Sequence, residues 1–194
     1  MDINDKLKEI IQKNISDLEL LILALLNAKN KEPLKSDLFF QKEIFLILNY
    51  IKEMFPNADF IPHSFGPYSE VAEKSLNNLK SYGLIKKEGN SYKIDDFGVE
   101  IYSNLKDRLS NNKIEAIEDF KDLLNDLNRD ELLVFTYISF PDFTTESTIK
   151  KEIYSKRKSI AASLYKKGKI SLEKAAFLAG LPIEQFTKFL ARLT

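Results

Sequence analysis

The stretch ISLEKAAFLAGLPIEQF, Ile170 to Phe186, decides how this chain is read. Its apolar residues recur at helical spacing, yet Gly180 and Pro182 sit inside it, and both residue types interrupt helices. Two short helices joined by a tight turn satisfy both facts. Ala175 and Ala176 are the small pair that lets the two backbones approach. Gly180 supplies the positive φ of the turn, and Pro182 falls at the start of the second helix, where its missing N–H costs nothing. Ser171 caps the first helix, with Glu173 and Lys174 turned outward. Leu181, Phe186 and either Phe189 or Leu190 hold the second helix. The pattern predicts a helix-turn-helix; the alternative is a pair of core helices joined by the same turn.

The segment before this stretch is strongly basic. Residues 150–194 hold eleven Lys and Arg against three acids, a net charge of +8. The formal net charge of the whole chain is zero, so the rest carries −8. Residues 112–149 are the most acidic part. A zero total is not the footprint of a nucleic-acid binder, but a total made of two opposite parts describes a dipolar molecule. On the predicted helix 149–168 and the turn after it, Lys156, Arg157, Lys158, Lys166, Lys167 and Lys169 are placed to meet phosphates. Such contacts give affinity without sequence information. On the last helix the outward residues are Glu184, Gln185, Thr187, Lys188 and Arg192. Gln185 and Arg192 are suited to adenine and guanine edges, whereas Glu184 either repels phosphate or accepts from a cytosine amine. With Ser171, these residues form the first candidate DNA-binding set.

The segment KRKSIAASLYKKGKISLEKAAFLAGLPIEQFTKFLARL resembles the small prokaryotic UPF0175 family of antitoxin-like proteins. The likeness rests on Ala161 or Ala162, Leu164, Tyr165, Gly168, Ile170, Ser171, Ala175, Ala176, Ala179, Gly180 and Phe186. It implies a helix-turn-helix, an antitoxin or regulator role, and a toxin or other protein as partner.

Upstream, helices are expected over residues 3–13 and 16–28. The second is almost wholly apolar (LELLILALLNA) and so belongs at the centre of a core. A further helix is expected over 38–55, ended by Pro56 and Asn57. After a loop rich in proline, Ser69 caps a third helix over 69–83, with Gly83 closing it in a left-handed conformation. LIKKEGNSYKI then reads as two strands around Gly89-Asn90, and Asp95 or Asp96 caps another helix. Helices followed by a two-stranded wing and a helix is the order of a winged helix. There the third helix can enter the major groove while the wing touches backbone. That assigns Lys74, Asn77, Asn78, Lys80 and Ser81 to the groove, and Lys86, Lys87, Asn90 and Lys93 to the wing. The motif Phe65-Gly66-Pro67-Tyr68-Ser69 with Gly83-Leu84-Ile85 is similar to the YwgA-like winged-helix proteins of bacteria and archaea, over about residues 16 to 105. Phe65 and Tyr68 are expected to pack.

The chain has 194 residues, no cysteine and one histidine. Disulfides, thiolate metal sites and multi-histidine sites are therefore excluded. His63 stands beside Ser64 without a nucleophile motif, and there is no phosphate loop or dinucleotide fingerprint. No catalytic residue, metal or cofactor is expected, and His63 reads as structural. No apolar run approaches a membrane span, the charged N-terminus is not a secretory signal, and a cytoplasmic location is expected.

Taken together, the sequence predicts a mainly α protein: a winged-helix domain over 1–111, an acidic helical connector over 112–148 and a basic helix-turn-helix domain over 149–194. The expected function is double-stranded DNA binding as a transcriptional regulator or antitoxin-like protein. A homodimer is expected, because two half-sites multiply affinity and specificity. The competing expectation is a protein-interaction module that uses these folds for assembly, without DNA.

Overall fold

The computed structural model describes residues 3–52 and 58–193. The described chain is mainly helical, with one two-stranded antiparallel sheet. It divides into two compact units: Met1–Phe60 with Ser69–Asn125, and Ile61–Tyr68 with Asp126–Thr194.

In the first unit, α1 (Ile3–Asn14) leads to α2 (Asp17–Lys31). Ser16 and Glu19 form a capping box at the start of α2: the Ser16 hydroxyl accepts the Glu19 N–H at 3.2 Å, and the Glu19 carboxylate accepts the Ser16 N–H at 2.8 Å. Two of the helix's orphan donors are thereby satisfied. As its composition predicts, α2 is central: Leu20 to Leu26 are at most 3% exposed. Its regular winding stops before Ala28, which is extended, and Lys29, Asn30 and Lys31 follow with φ of 52°, 54° and 62°. Three consecutive left-handed non-glycine residues are strained, at roughly 1–2 kcal/mol each, and less for Asn.

Helix α3 is observed as Asp37–Tyr50, capped by Ser36 and ending at Ile51. The end expected at Pro56 and Asn57 lies outside the described residues. It too is buried around its circumference, and that forces Gln41, Lys42 and Glu43 inside with Phe39, Phe40, Ile44 and Phe45. Gln41 meets the requirement for partners: its amide donates to the Ser69 carbonyl at 3.0 Å and accepts the Ser69 N–H at 2.8 Å. Ser69 in turn caps α4 (Glu70–Ser81), its hydroxyl accepting the Ala72 N–H at 2.9 Å.

Strands β1 (Ile85–Glu88) and β2 (Ser91–Ile94) pair from Ile85 with Ile94 to Glu88 with Ser91, leaving Gly89-Asn90 as the turn. Leu34 adds an isolated antiparallel bridge to Tyr92. Asp95 caps α5 (Asp96–Leu105). Gly98 is required where α5 crosses the sheet: a Cβ there would stand 2.0 Å from the Leu84 carbonyl oxygen. A 3-10 turn, Lys106–Arg108, precedes α6 (Asn111–Asn125), which packs on α2 and α3.

In the second unit, Asn128 and Glu131 form a capping box at the start of α7 (Arg129–Ser139). A 3-10 turn, Pro141–Thr144, follows it. Then come α8 (Lys150–Lys166), α9 (Leu172–Ala179) and α10 (Ile183–Ala191). Helix α8 packs against both α7 and α9. The core comprises Leu132, Leu133, Tyr137, Ile153, Ala161, Leu164, Ala175, Leu178 and Phe186, all fully buried. The 61–68 segment joins this unit, where the Ser64 carbonyl accepts the Thr148 N–H at 3.1 Å.

Candidate nucleic-acid interface

The α9–α10 turn has the geometry its residues predict. The Ser171 hydroxyl accepts the Lys174 N–H at 3.2 Å and caps α9. Gly180 closes α9 with φ 67° and ψ 37°, and the Leu181 N–H returns to the Ala176 carbonyl at 3.1 Å. Pro182 caps α10 at φ −56°. Ala175 and Ala176 are buried, and Phe186 is the buried residue of α10. The rest of α10 stands half-buried or exposed.

The basic residues of α8 and the following turn have different surroundings. Arg157 is turned onto the end of α9: its Nε donates to the Leu178 carbonyl at 2.7 Å and Nη2 to the Phe177 carbonyl at 3.2 Å. Both carbonyls belong to the last turn of the helix, where intrahelical donors run out; Phe177 also takes the Gly180 N–H at 3.0 Å, and the guanidinium adds a C-cap over the two. Lys156 bridges Asp130 and Glu152, at 2.7 Å from each. Lys167 reaches the almost fully buried Glu131 at 2.6 Å, and Lys169 reaches Asp126 at 2.5 Å. Burial pushes the Glu131 carboxyl up, but hydrogen bonds from Lys167, the Asn128 N–H and the Ser163 hydroxyl together hold it below the ordinary carboxylate value. Lys166 donates to the Leu193 carbonyl at 3.3 Å.

Lys174 does not point outward as the sequence suggested. It is half-buried, donates to the Ser139 hydroxyl at 2.9 Å, and lies 4.9 Å and 5.0 Å from the ring centres of Phe135 and Phe177. Desolvation lowers its pKa.

Lys158 on α8, and Lys188 and Arg192 at and just beyond the end of α10, have no acidic partner among the described residues. They line one shallow depression of about 270 Å³ with Gln185, over a floor of Leu181 and Phe189. The spacing explains the grouping. Residues 185, 188 and 192 recur at i, i+3 and i+7, one face of a helix. Thr187 lies on the other flank of α10, where its hydroxyl donates to the Ile183 carbonyl at 2.9 Å.

The candidates of the first unit are more occupied. Lys86 pairs with Asp95 at 2.7 Å, Lys87 with Asp37 at 3.0 Å, and Lys93 with Glu88 at 2.5 Å. Asn78 is half-buried and donates to Glu19 at 3.1 Å. The Ser81 hydroxyl donates to the Asn77 carbonyl at 2.9 Å. Lys74, Asn77, Lys80 and Asn90 are exposed. In the 61–68 segment of the second unit, His63 is exposed and stacked on Tyr68 at 4.8 Å, while Phe65, expected to pack, is 43% exposed.

The capping role of Arg157 has no signature in the sequence, whereas the pairing of Lys156, Lys167 and Lys169 with Asp130, Glu131 and Asp126 is a contact of the basic segment with the acidic one, as the competing assembly reading expects. An Arg 23 residues upstream of Gly180 carries no local signal. The acids do carry one, since Asp126 follows the acidic helix α6 and Asp130 and Glu131 open α7, ahead of the basic helix.

A family model described as an uncharacterised protein family, UPF0175, matches residues 137–193, under a third of the chain. The matched span runs from within α7 through α8, α9 and α10, and supports the likeness drawn from the C-terminal motif. No curated protein and no solved structure matches. No helix among the described residues is long and apolar enough to cross a membrane.

Proposed function

We propose that this protein binds double-stranded DNA as a transcriptional regulator or antitoxin-like protein, through α8, α9 and α10. The observation that carries this reading is the stripe Gln185–Lys188–Arg192 on α10 facing Lys158 of α8. Unpaired cations need no intramolecular bond broken before they meet phosphate, and each displaces condensed counterions. In this arrangement α10 lies in the major groove, the stripe follows one phosphate wall, and Arg157 and Ser171 act by holding α9 rather than by touching DNA. Lys156, Lys167 and Lys169 contribute to the local potential while bound to their carboxylates.

The first unit supports a winged-helix reading. Its α4, the β1–β2 hairpin, the Leu34 bridge to Tyr92 and α5 follow the order of that fold. Its wing lysines are paired with carboxylates, so this unit serves as scaffold or dimerisation element. A homodimer presenting two copies of α10 fits the small footprint of a nine-residue helix.

The test is a titration of labelled duplex DNA at several salt concentrations. Three phosphate contacts give a slope of log K against log salt of about −3. Reversing Lys158, Lys188 and Arg192 to Glu abolishes binding. Salt-independent binding, or full binding by the reversed protein, overturns the reading.

A second reading is favoured by one other observation. Phe177 is 53% exposed and Ile183 45%, on the two helices of the same motif. A protein partner, a toxin in the antitoxin-like case, would bury them. Substituting both with Ser weakens that partner's binding and leaves DNA affinity unchanged.

A further inference from the structure

We infer that α6 is a releasable strap of the first unit, which opens from α2 and α3 as one piece while the α2 core stays closed. Three independent features of its seat point to this.

The first is a polar seam. Among the described residues, the buried side-chain atoms with no hydrogen-bond partner are both carboxylate oxygens of Glu43, the Lys121 ammonium and the Asn125 carbonyl oxygen. All lie on α3 or α6. Glu43 and Lys121 are fully buried, yet no ion pair closes between them. Buried polar groups without partners carry their full desolvation cost, and the cost disappears when water enters the seam.

The second is backbone strain held by the same helix. The Lys29 N–H donates to Glu118 at 2.8 Å, and the Lys29 ammonium pairs with Asp122 at 3.2 Å. These α6 carboxylates fasten the left-handed run Lys29–Lys31. Release of α6 frees that turn to relax. Strain of this kind persists where surrounding contacts over-determine it, and it marks segments that switch.

The third is the modest apolar hold. Helix α6 buries Ala116, Ile117 and Leu124, whereas α2 buries apolar residues at nearly every position from Leu18 to Leu26. Segments with few buried apolar contacts are those that open below the global free energy.

Amide hydrogen exchange on the full chain, followed against denaturant, tests the inference. The amides of residues 114–125 are expected to exchange through one opening with a shared denaturant dependence smaller than that of residues 20–26, and faster than those residues. Lys31→Gly, which accepts the left-handed conformation without strain, is expected to slow α6 exchange by about fivefold. That exposed substitution leaves the fold intact. If α6 and α2 amides exchange together with one denaturant dependence, or if Lys31→Gly leaves α6 exchange unchanged, α6 is not a strap.

Discussion

The guanidinium of Arg157 occupies the space beside Gly180 where any other residue would place its Cβ: the nearest guanidinium atom stands 2.6 Å from that position. A glycine in α9–α10 and an arginine in α8 are thus one device. The glycine gives the turn its left-handed φ, and the absent side chain leaves room for the arginine to reach the Phe177 and Leu178 carbonyls.

This relationship predicts a coupled pair. Arg157→Ala removes charge-assisted bonds to two carbonyls and is expected to cost about 1.5–3 kcal/mol. Gly180→Ala suffers both the positive φ, about 1–2 kcal/mol, and the clash. In the Arg157→Ala background only the φ part remains, so the two losses do not add. Denaturant unfolding of the four proteins in the cycle measures this. Strict additivity refutes the shared-space account.

The cations separate into two classes by salt dependence of DNA binding. Lys158→Ala, Lys188→Ala and Arg192→Ala are each expected to flatten the salt slope by about 1. Lys169→Ala removes the ion pair to Asp126 and is expected to lower thermal stability while leaving the slope within error. A slope change on Lys169→Ala as large as that on Lys188→Ala would show that the ion pair opens on binding.

The buried Glu43 and Lys121 respond differently to single and double replacement. Burial raises the Glu43 carboxyl and lowers the Lys121 ammonium, while each opposes the other's shift. Lys121→Met alone leaves the buried Glu43 carboxylate without the opposing charge of Lys121, although no ion pair closes between them, and is expected to cost about 1–3 kcal/mol. Adding Glu43→Leu removes that carboxylate and should recover most of the loss. Equilibrium unfolding reads both values; a double variant no better than Lys121→Met would mean that the seam is hydrated in the folded state.

Lys42 gives the pH dependence. It is 3% exposed, and desolvation lowers its pKa from 10.5 to about 7. Between those values the unfolded chain binds a proton that the folded chain does not, so stability falls as pH drops from about 10 towards 7 and levels off below. The difference is on the order of a few kcal/mol. Lys42→Met is expected to remove this slope, as measured by unfolding at pH 7 and pH 10.

Phe186 is the fully buried anchor of α10. Phe186→Ala is expected to cost about 3–5 kcal/mol and to abolish DNA binding without touching a cation, because the stripe loses its support. Near-ultraviolet dichroism and the duplex titration together check this.

Much of this fold is written locally. Caps, turn glycines and apolar spacing involve residues at most a few positions apart, so Ser69, Ser171 and Gly180 could each be assigned from their neighbours, and the structure places each where expected and chooses Asp95 over Asp96 as the cap of α5. The apolar run through α2 likewise announced its burial. In α3 the apolar residues lie all round the helix, which therefore takes Gln41, Lys42 and Glu43 inside with it.

What only the tertiary structure decided is which charges are free. Lys156, Arg157 and Lys158 are adjacent in sequence, yet the first pairs with Asp130, the second caps α9, and the third faces α10 across the depression. Successive residues on a helix point about 100° apart, so neighbours in a basic run meet different partners, and the partners come from helices tens of residues away. The sequence therefore determined where helices begin, turn and end, and that positive charge gathers near the carboxyl end. Long-range packing of α7, α8, α9 and α10 determined which of those charges remain available to a ligand, because an ion pair depends on distance in space and not along the chain.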